Sequence, residues 1–174
     1  MAGQDGDILL VATVDFHDPE DGPEYAPPPP DGVPGPEGLP LGRYDSPLIE
    51  SRDVPAAAGG GGPPIRRAWF RPTLPLAADP LLHQQVLAYL SDSGATRAVR
   101  EPHAGHPDID RRMSISLDHS VWFHRAASVD QWLLSELWPM STAAGRGLAI
   151  GTIRTIDGTV LATVAQEALL RLPS

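Results

Sequence analysis

The chain has 174 residues, 41% of them hydrophobic, enough for one domain with a buried core and tight for two. It contains no cysteine, which excludes a disulfide framework, a thiolate nucleophile and a cysteine-type zinc site. The formal charge of −9 argues against nucleic-acid binding, but residues 1–64 hold 12 of the 22 acidic residues against only Arg43 and Arg52, so residues 65–174 are close to neutral.

No apolar run approaches the ~18 residues needed to cross a bilayer, so no membrane span is expected. The opening MAGQDGDILL lacks the basic, apolar, small-residue order of a signal peptide, and the expectation is a soluble, cytoplasmic protein.

In chain order, Asp7–Phe16 (DILLVATVDF) is a β-rich run that follows the turn dipeptide Asp5-Gly6, as a strand leaving a hairpin would. Glu20–Pro64 holds most of the prolines, among them Pro27–Pro30, and the run Gly59–Gly62. Such a stretch reads as an acidic linker, either disordered or hugging the surface, with local docking of Leu39–Leu48. From Ile65 the pattern becomes that of a packed domain. Ile65–Arg71 suggests a strand. Asp79 is a candidate N-cap with Pro80 at the first helical position, and Leu82, Val86, Tyr89 and Leu90 recur at helical spacing until Gly94. Strand signals follow at Arg112–His124, Gln131–Trp138, Gly147–Ile156 and Thr159–Leu170, with turns at Ala143–Gly145 and Asp157-Gly158. One helix followed by a run of antiparallel strands gives an α+β class.

The two ends echo each other. Asp-Gly, then apolar residues, then Ala-Thr-Val occurs at Asp5-Gly6 with Ala12–Val14 and at Asp157-Gly158 with Ala162–Val164. This is either a duplicated unit whose first copy retains little beyond its last strand or a chance likeness of two Val/Leu-rich strands.

Four motifs, DHSVWFHR (Asp118–Arg125), WLLSE (Trp132–Glu136), GRGLAIG (Gly145–Gly151) and DGTVLATVAQE (Asp157–Glu167), occur in an order and at intervals that resemble the C-terminal half of type II (TesB-like) acyl-CoA thioesterases. The helix ending LSDSG (Leu90–Gly94) sits where that family carries its catalytic aspartate. The resemblance covers residues 65–174 and, weakly, the opening strand. It implies a hotdog fold, in which an antiparallel sheet wraps one long helix. It further implies a missing first hotdog, of which residues 1–19 are the remnant and residues 20–64 the connection. Without that half an apolar sheet face and edge are exposed, so self-association or a second hotdog chain is expected.

By motif position the family's water-activating aspartate, hydroxyl residue and glutamine correspond to Asp92, Ser116 and Gln166. Ser116 departs from the commoner threonine but keeps the hydroxyl. Thioester hydrolysis needs a held water, a base for its proton and donors for the oxyanion. The resemblance implies that Asp92 accepts the proton while Ser116 and Gln166 orient the water, without a covalent intermediate. Each also has an ordinary reading when taken singly, as a helix-end aspartate bonded to its own backbone, a strand serine and an exposed strand glutamine. No cofactor is implied, since coenzyme A is part of the acyl-CoA substrate. The alternative is a degenerate hotdog that binds acyl-CoA or a partner subunit without turnover, or a fragment that folds poorly.

Strict alternation along Arg112–His124 puts Ser114, Ser116, Asp118 and Ser120 on one face and Met113, Ile115, Leu117 and His119 on the other. Asp118 and His119 are therefore expected to have structural roles. His103 and His106 lie in a Pro-rich loop that is read as solvated rather than metal-binding. GRGLAIG lacks the strand–loop–helix context of a phosphate loop, and its glycines are read as allowing close packing in a strand. A GxSxG elbow is absent from the sequence.

Overall fold

The computed structural model describes residues 2–4, 6–18, 20–42, 46–56, 64–106, 109, 114–126 and 128–170. Helix α1 runs from Pro80 to Ser91, and the Asp79 carboxylate accepts from Leu81 N at 3.0 Å. That bond satisfies one of the donors a helix start leaves unpaired, and Pro80 occupies a position where no amide proton is needed. His83, Leu87, Leu90 and Ser91 form its buried face. Gly94, at φ +99, ends the turn and opens the short helix α2, Ala95–Ala98; a side chain at that φ would be strained.

Against α1 lies an antiparallel sheet of seven strands among the described residues: β3 (Ile49–Val54), β4 (Arg66–Pro72), β5 (Ile115–Ser116), β6 (Ser120–Phe123), β7 (Leu133–Ala143), β8 (Arg146–Thr155) and β9 (Val160–Leu169). Their order is β3-β4-β7-β8-β9-β5, with β6 also on β9. Leu87 and Leu90 pack with Phe70, Leu133, Leu137, Ile153 and Val164 in one apolar cluster. Truncating a fully buried leucine such as Leu90 in this layer would cost about 2–5 kcal/mol. One long helix against one antiparallel sheet is the α+β arrangement implied by the resemblance.

Close packing explains the glycines of β8. A Cβ on Gly147 would lie 2.8 Å from Val99 Cβ, and one on Gly151 would collide with the Glu136 carbonyl, so neighbouring backbone approaches where only hydrogen fits.

The structure differs from the sequence expectation, or decides between two readings, at several places. First, β3 lies inside the stretch read as a linker and pairs with β4 along its length, Ile49 opposite Pro72 and Val54 opposite Arg67. Pro47 and Pro55 bracket a proline-free window, so every backbone donor needed by the ladder is present. Ile49 and Ser51 face the core while Glu50 and Arg52 face out, and this polar alternation hid the strand.

Second, residues 27–36 of the proline-rich segment lie against the outer face of the sheet. Trp69 Nε1 donates to Pro34 O at 2.8 Å, Arg154 Nη1 donates to Pro27 O at 3.0 Å, and Pro36 is fully buried. Of the two readings of the linker, the surface-hugging one describes this part. Beneath it Glu136 and Arg154, 2% and 3% exposed, are joined by a 3.3 Å ion pair, and Arg67 Nε donates to Glu136 at 2.8 Å.

Third, the expected strand Arg112–His124 is broken into β5 and β6, with Arg112 and Met113 outside the described residues. Ser116 pairs with Ala168 and Ser120 with Ala165, so the three residues 117–119 stand opposite the two residues 166 and 167. This bulge of one residue reverses the alternation beyond it.

At the N-terminus β1 (Ala2–Gln4) and β2 (Asp7–Leu10) form a separate antiparallel hairpin around Gly6, at φ +90. The expected strand Asp7–Phe16 extends only to Leu10; Ala12–Val14 lie outside any strand, whereas their echo Ala162–Val164 lies within β9. Asp5 is outside the described residues. No helix among the described residues is long and apolar enough to cross a membrane.

Candidate active site

Three elements converge at the C-terminal end of α1. The helix supplies Ser91 and Asp92, the β5–β6 bulge supplies Ser116 and His119, and β9 supplies Gln166. Gln166 lies on the inward row Val160, Ala162, Val164 and is 1% exposed. A primary amide at such a position must find polar partners or lose several kcal/mol of hydration. Its partners are the two other candidate residues and His119. Nε2 donates to Asp92 Oδ1 at 2.9 Å and to Ser116 Oγ, and Oε1 meets His119 Nδ1 at 3.1 Å.

The structure thus brings Asp92, Ser116 and Gln166 into one hydrogen-bonded cluster, although 74 residues separate the first from the last. Asp92 caps α1, and its side chain and that of Ser116 are open to solvent. Gln166 is the buried anchor. Both of its amide protons are used, so Ser116 Oγ accepts from the amide and keeps its own proton to donate elsewhere. Among the described residues no hydrogen bond uses Asp92 Oδ2, which leaves an acceptor beside that donor.

His119 is the residue that strict alternation placed on the wrong face. The bulge turns it to the same side as Ser116, where its ring spans from Gln166 Oε1 to Ser91 Oγ, the latter 2.7 Å from Nε2. Asp118 points elsewhere and accepts from Glu167 N at 2.8 Å, a structural role as expected. The sequence carries little signal for the bulge, since SLDHS holds neither glycine nor proline.

Beside Asp92 and Ser116 a cleft of about 240 Å³ is lined by Phe70, Ala68 and Ile49 together with Asp53, Arg66 and Arg97. Asp53 engages both arginines, at 2.6 Å from Arg66 and 3.5 Å from Arg97. His103 bonds Thr142 Oγ1 at 2.8 Å, and among the described residues no group of His, Asp and Glu is arranged to hold a metal ion. The arrangement can therefore accept a proton at Asp92, donate one at Ser116, and hold both in register through Gln166.

The sequence model of the family described as acyl-CoA thioesterase C-terminal domain matches residues 19–170, a span that includes the proline-rich segment and β3. Acyl-CoA thioesterase 2 of Haemophilus influenzae is 34% identical over 110 residues, which is 63% of this chain and 38% of that protein. Human acyl-coenzyme A thioesterase 8 is 34% identical over 94 residues, 54% of this chain and 29% of that protein. The chain therefore spans well under half the length of these two curated relatives. Among solved structures, acyl-CoA thioesterase II TesB2 of Mycobacterium marinum superposes with a TM-score of 0.77 at 33% identity, over 89% of this chain and 60% of that one. A hot dog fold protein of Alicyclobacillus acidocaldarius superposes at 0.68 with 21% identity, over 90% of this chain and 60% of that one, a likeness of fold alone. The fold is the hotdog.

Proposed function

The chain belongs to the family of acyl-CoA thioesterase C-terminal domains, and we propose that it hydrolyses acyl-CoA thioesters to a carboxylic acid and free coenzyme A by an activated water. The observation that carries this reading is the single cluster formed by Asp92, Ser116 and the buried amide of Gln166. In the proposed reaction the water oxygen attacks the thioester carbonyl carbon and its proton passes to Asp92. The Ser116 hydroxyl donates to the developing oxyanion, and the tetrahedral species collapses by breaking the carbon–sulfur bond. Asp92 then returns the proton to the departing thiolate. Gln166 keeps acceptor and donor on one side of the acyl group, which is positioning rather than bond-making.

A second reading is favoured by the exposure of Asp92 and Ser116. Hydrolytic sites gain strength when bulk water is excluded, and an open site is compatible with acyl-CoA binding without turnover. The two readings separate when the full chain is incubated with acyl-CoAs of graded chain length and free thiol is followed. Thiol release above the buffer rate supports hydrolysis, whereas saturable binding without release supports the alternative.

The same reading includes a covering partner, either a second copy or another hotdog. Its support is the set of large apolar side chains left bare on the sheet's edge strands β5 and β6, with Ile115 53% and Trp122 52% exposed, since exposed apolar surface marks contact sites. Native mass measurement tests it, a well-behaved monomer counting against it.

A further inference from the structure

The hydrolytic reading gives the imidazole of His119 no task, yet the ring bridges α1 and β9 with both of its nitrogens. A glutamine amide has nearly the same shape when its two ends are exchanged, so only its partners decide which end faces which way. A carboxylate oxygen accepts. The NH₂ end must therefore face Asp92 and Ser116, and Oε1 must face His119 Nδ1, 3.1 Å away. That contact is a hydrogen bond only if Nδ1 carries a proton.

The other side of the ring is consistent with this in either charge state. Ser91 Oγ lies 2.7 Å from both Ala88 O and His119 Nε2. A hydroxyl has one proton to give. With that proton on Ala88 O, Nε2 donates to Ser91 and the ring is an imidazolium; with it turned to Nε2, the ring is neutral and protonated on Nδ1. Both arrangements keep Nδ1–H on Gln166.

We propose that His119 is a positioning residue that locks the Gln166 amide with its NH₂ end toward Asp92 and Ser116. This rests on the hydrolytic reading of the site for its consequence, though not for its geometry. Were the amide free to turn, Oε1 would oppose the Asp92 carboxylate. It would also draw the Ser116 proton to itself, away from the acyl carbonyl where the oxyanion develops. Ser91 Oγ, 2.7 Å from Nε2 at the end of α1, holds the other side of the ring.

Two measurements on the full chain test the lock. The first is the ¹⁵N signature of the His119 ring at pH 8, assigned by its disappearance in His119→Asn. Protonation on Nδ1 is expected; a ring protonated on Nε2 alone would overturn the proposal, whether or not the protein turns over acyl-CoA. The second is kinetic. His119→Ala is expected to lower kcat on the order of 10- to 100-fold, the scale of a small misplacement of reacting groups, with KM little changed. His119→Asn, whose amide nitrogen can stand where Nδ1 does, is expected to recover most of that loss. An unchanged kcat in His119→Ala, a loss carried by KM, or an asparagine variant as impaired as the alanine one would each overturn the lock. If the parent protein releases no thiol at all, the hydrolytic reading fails and the ring tautomer still decides the His119–Gln166 contact.

Discussion

Gln166 Nε2 lies 2.9 Å from Asp92 Oδ1, so the last strand of the sheet holds the carboxylate at the end of its only long described helix. The amide is buried and the carboxylate is open to solvent. The rigid partner therefore orients the accessible one, which is the order a site needs when the substrate approaches from outside.

Placing a second carboxylate at the buried end of this pair should be costly in a pH-dependent way. In Gln166→Glu the new acid would sit beside Asp92 and out of water, two conditions that raise its folded-state pKa above the unfolded value. The folded state then holds the extra proton, and the variant loses stability as pH rises through that raised value. Thermal melts should show a larger deficit relative to the parent at pH 8 than at pH 5; equal deficits would mean the two side chains do not oppose each other.

The Ser116 hydroxyl is assigned a donor's role, and the two smallest changes to it separate hydroxyl from packing. Ser116→Ala should lower kcat by about 10²-fold, the scale of removing one oxyanion donor. Ser116→Thr keeps the hydroxyl and should retain most of the rate. Equal loss in both variants, measured by thiol release, would point to packing instead.

Beneath the proline-rich strap, Glu136 neutralises the buried Arg154 and is itself bonded by Arg67. Among the described residues, Glu136→Leu leaves Arg154 with only the carbonyls of Pro27 and Gly158. Breaking a buried pair from one side costs about 3–5 kcal/mol, which corresponds to a fall in Tm of roughly 6–20 °C for a chain of this size. A variant that melts with the parent would show that the strap does not keep this pair dry.

On the outer face of β3, Arg71 donates to Glu50 Oε2 at 2.8 and 3.0 Å, and Arg52 donates to Oε1 at 2.6 Å. These guanidinium groups hold the Glu50 carboxyl below the usual carboxylate range. A depressed folded-state value means stability that is fully present above the unfolded value near ~4.3 and lost as pH falls through the folded one. Denaturation curves should show the parent ahead of Glu50→Gln at pH 6, the gap closing below about pH 4. A gap that persists or widens on acidification would contradict the assignment.

What could be read from sequence tracks how local the deciding physics is. The start of α1 was legible because Asp79-Pro80 fixes it within three residues, and the β8–β9 turn because Gly158 adopts φ +92. Strand β3 was not, since a polar alternation between two prolines looks like linker until β4 supplies a partner. The trio Asp92, Ser116 and Gln166 was placed by family motif, not by residue pattern; nothing in LSDSG or VAQE alone announces that they meet. His119 escaped because its orientation depends on one unpaired residue between β5 and β6, which is a property of the register with β9. The Glu136–Arg154 pair likewise depends on which face the strap covers.

In the proposed reaction Asp92 takes the proton of the attacking water. The most direct measurement is the ratio of kcat/KM for Asp92→Asn and parent on one acyl-CoA that the parent cleaves, at neutral pH, with folding of both checked by circular dichroism. Asparagine keeps the size and can still bond Gln166 but cannot act as a base, so the expected ratio is about 10⁻² or lower, the usual contribution of a positioned general base. A folded Asp92→Asn protein that releases thiol as fast as the parent would remove Asp92 as the base.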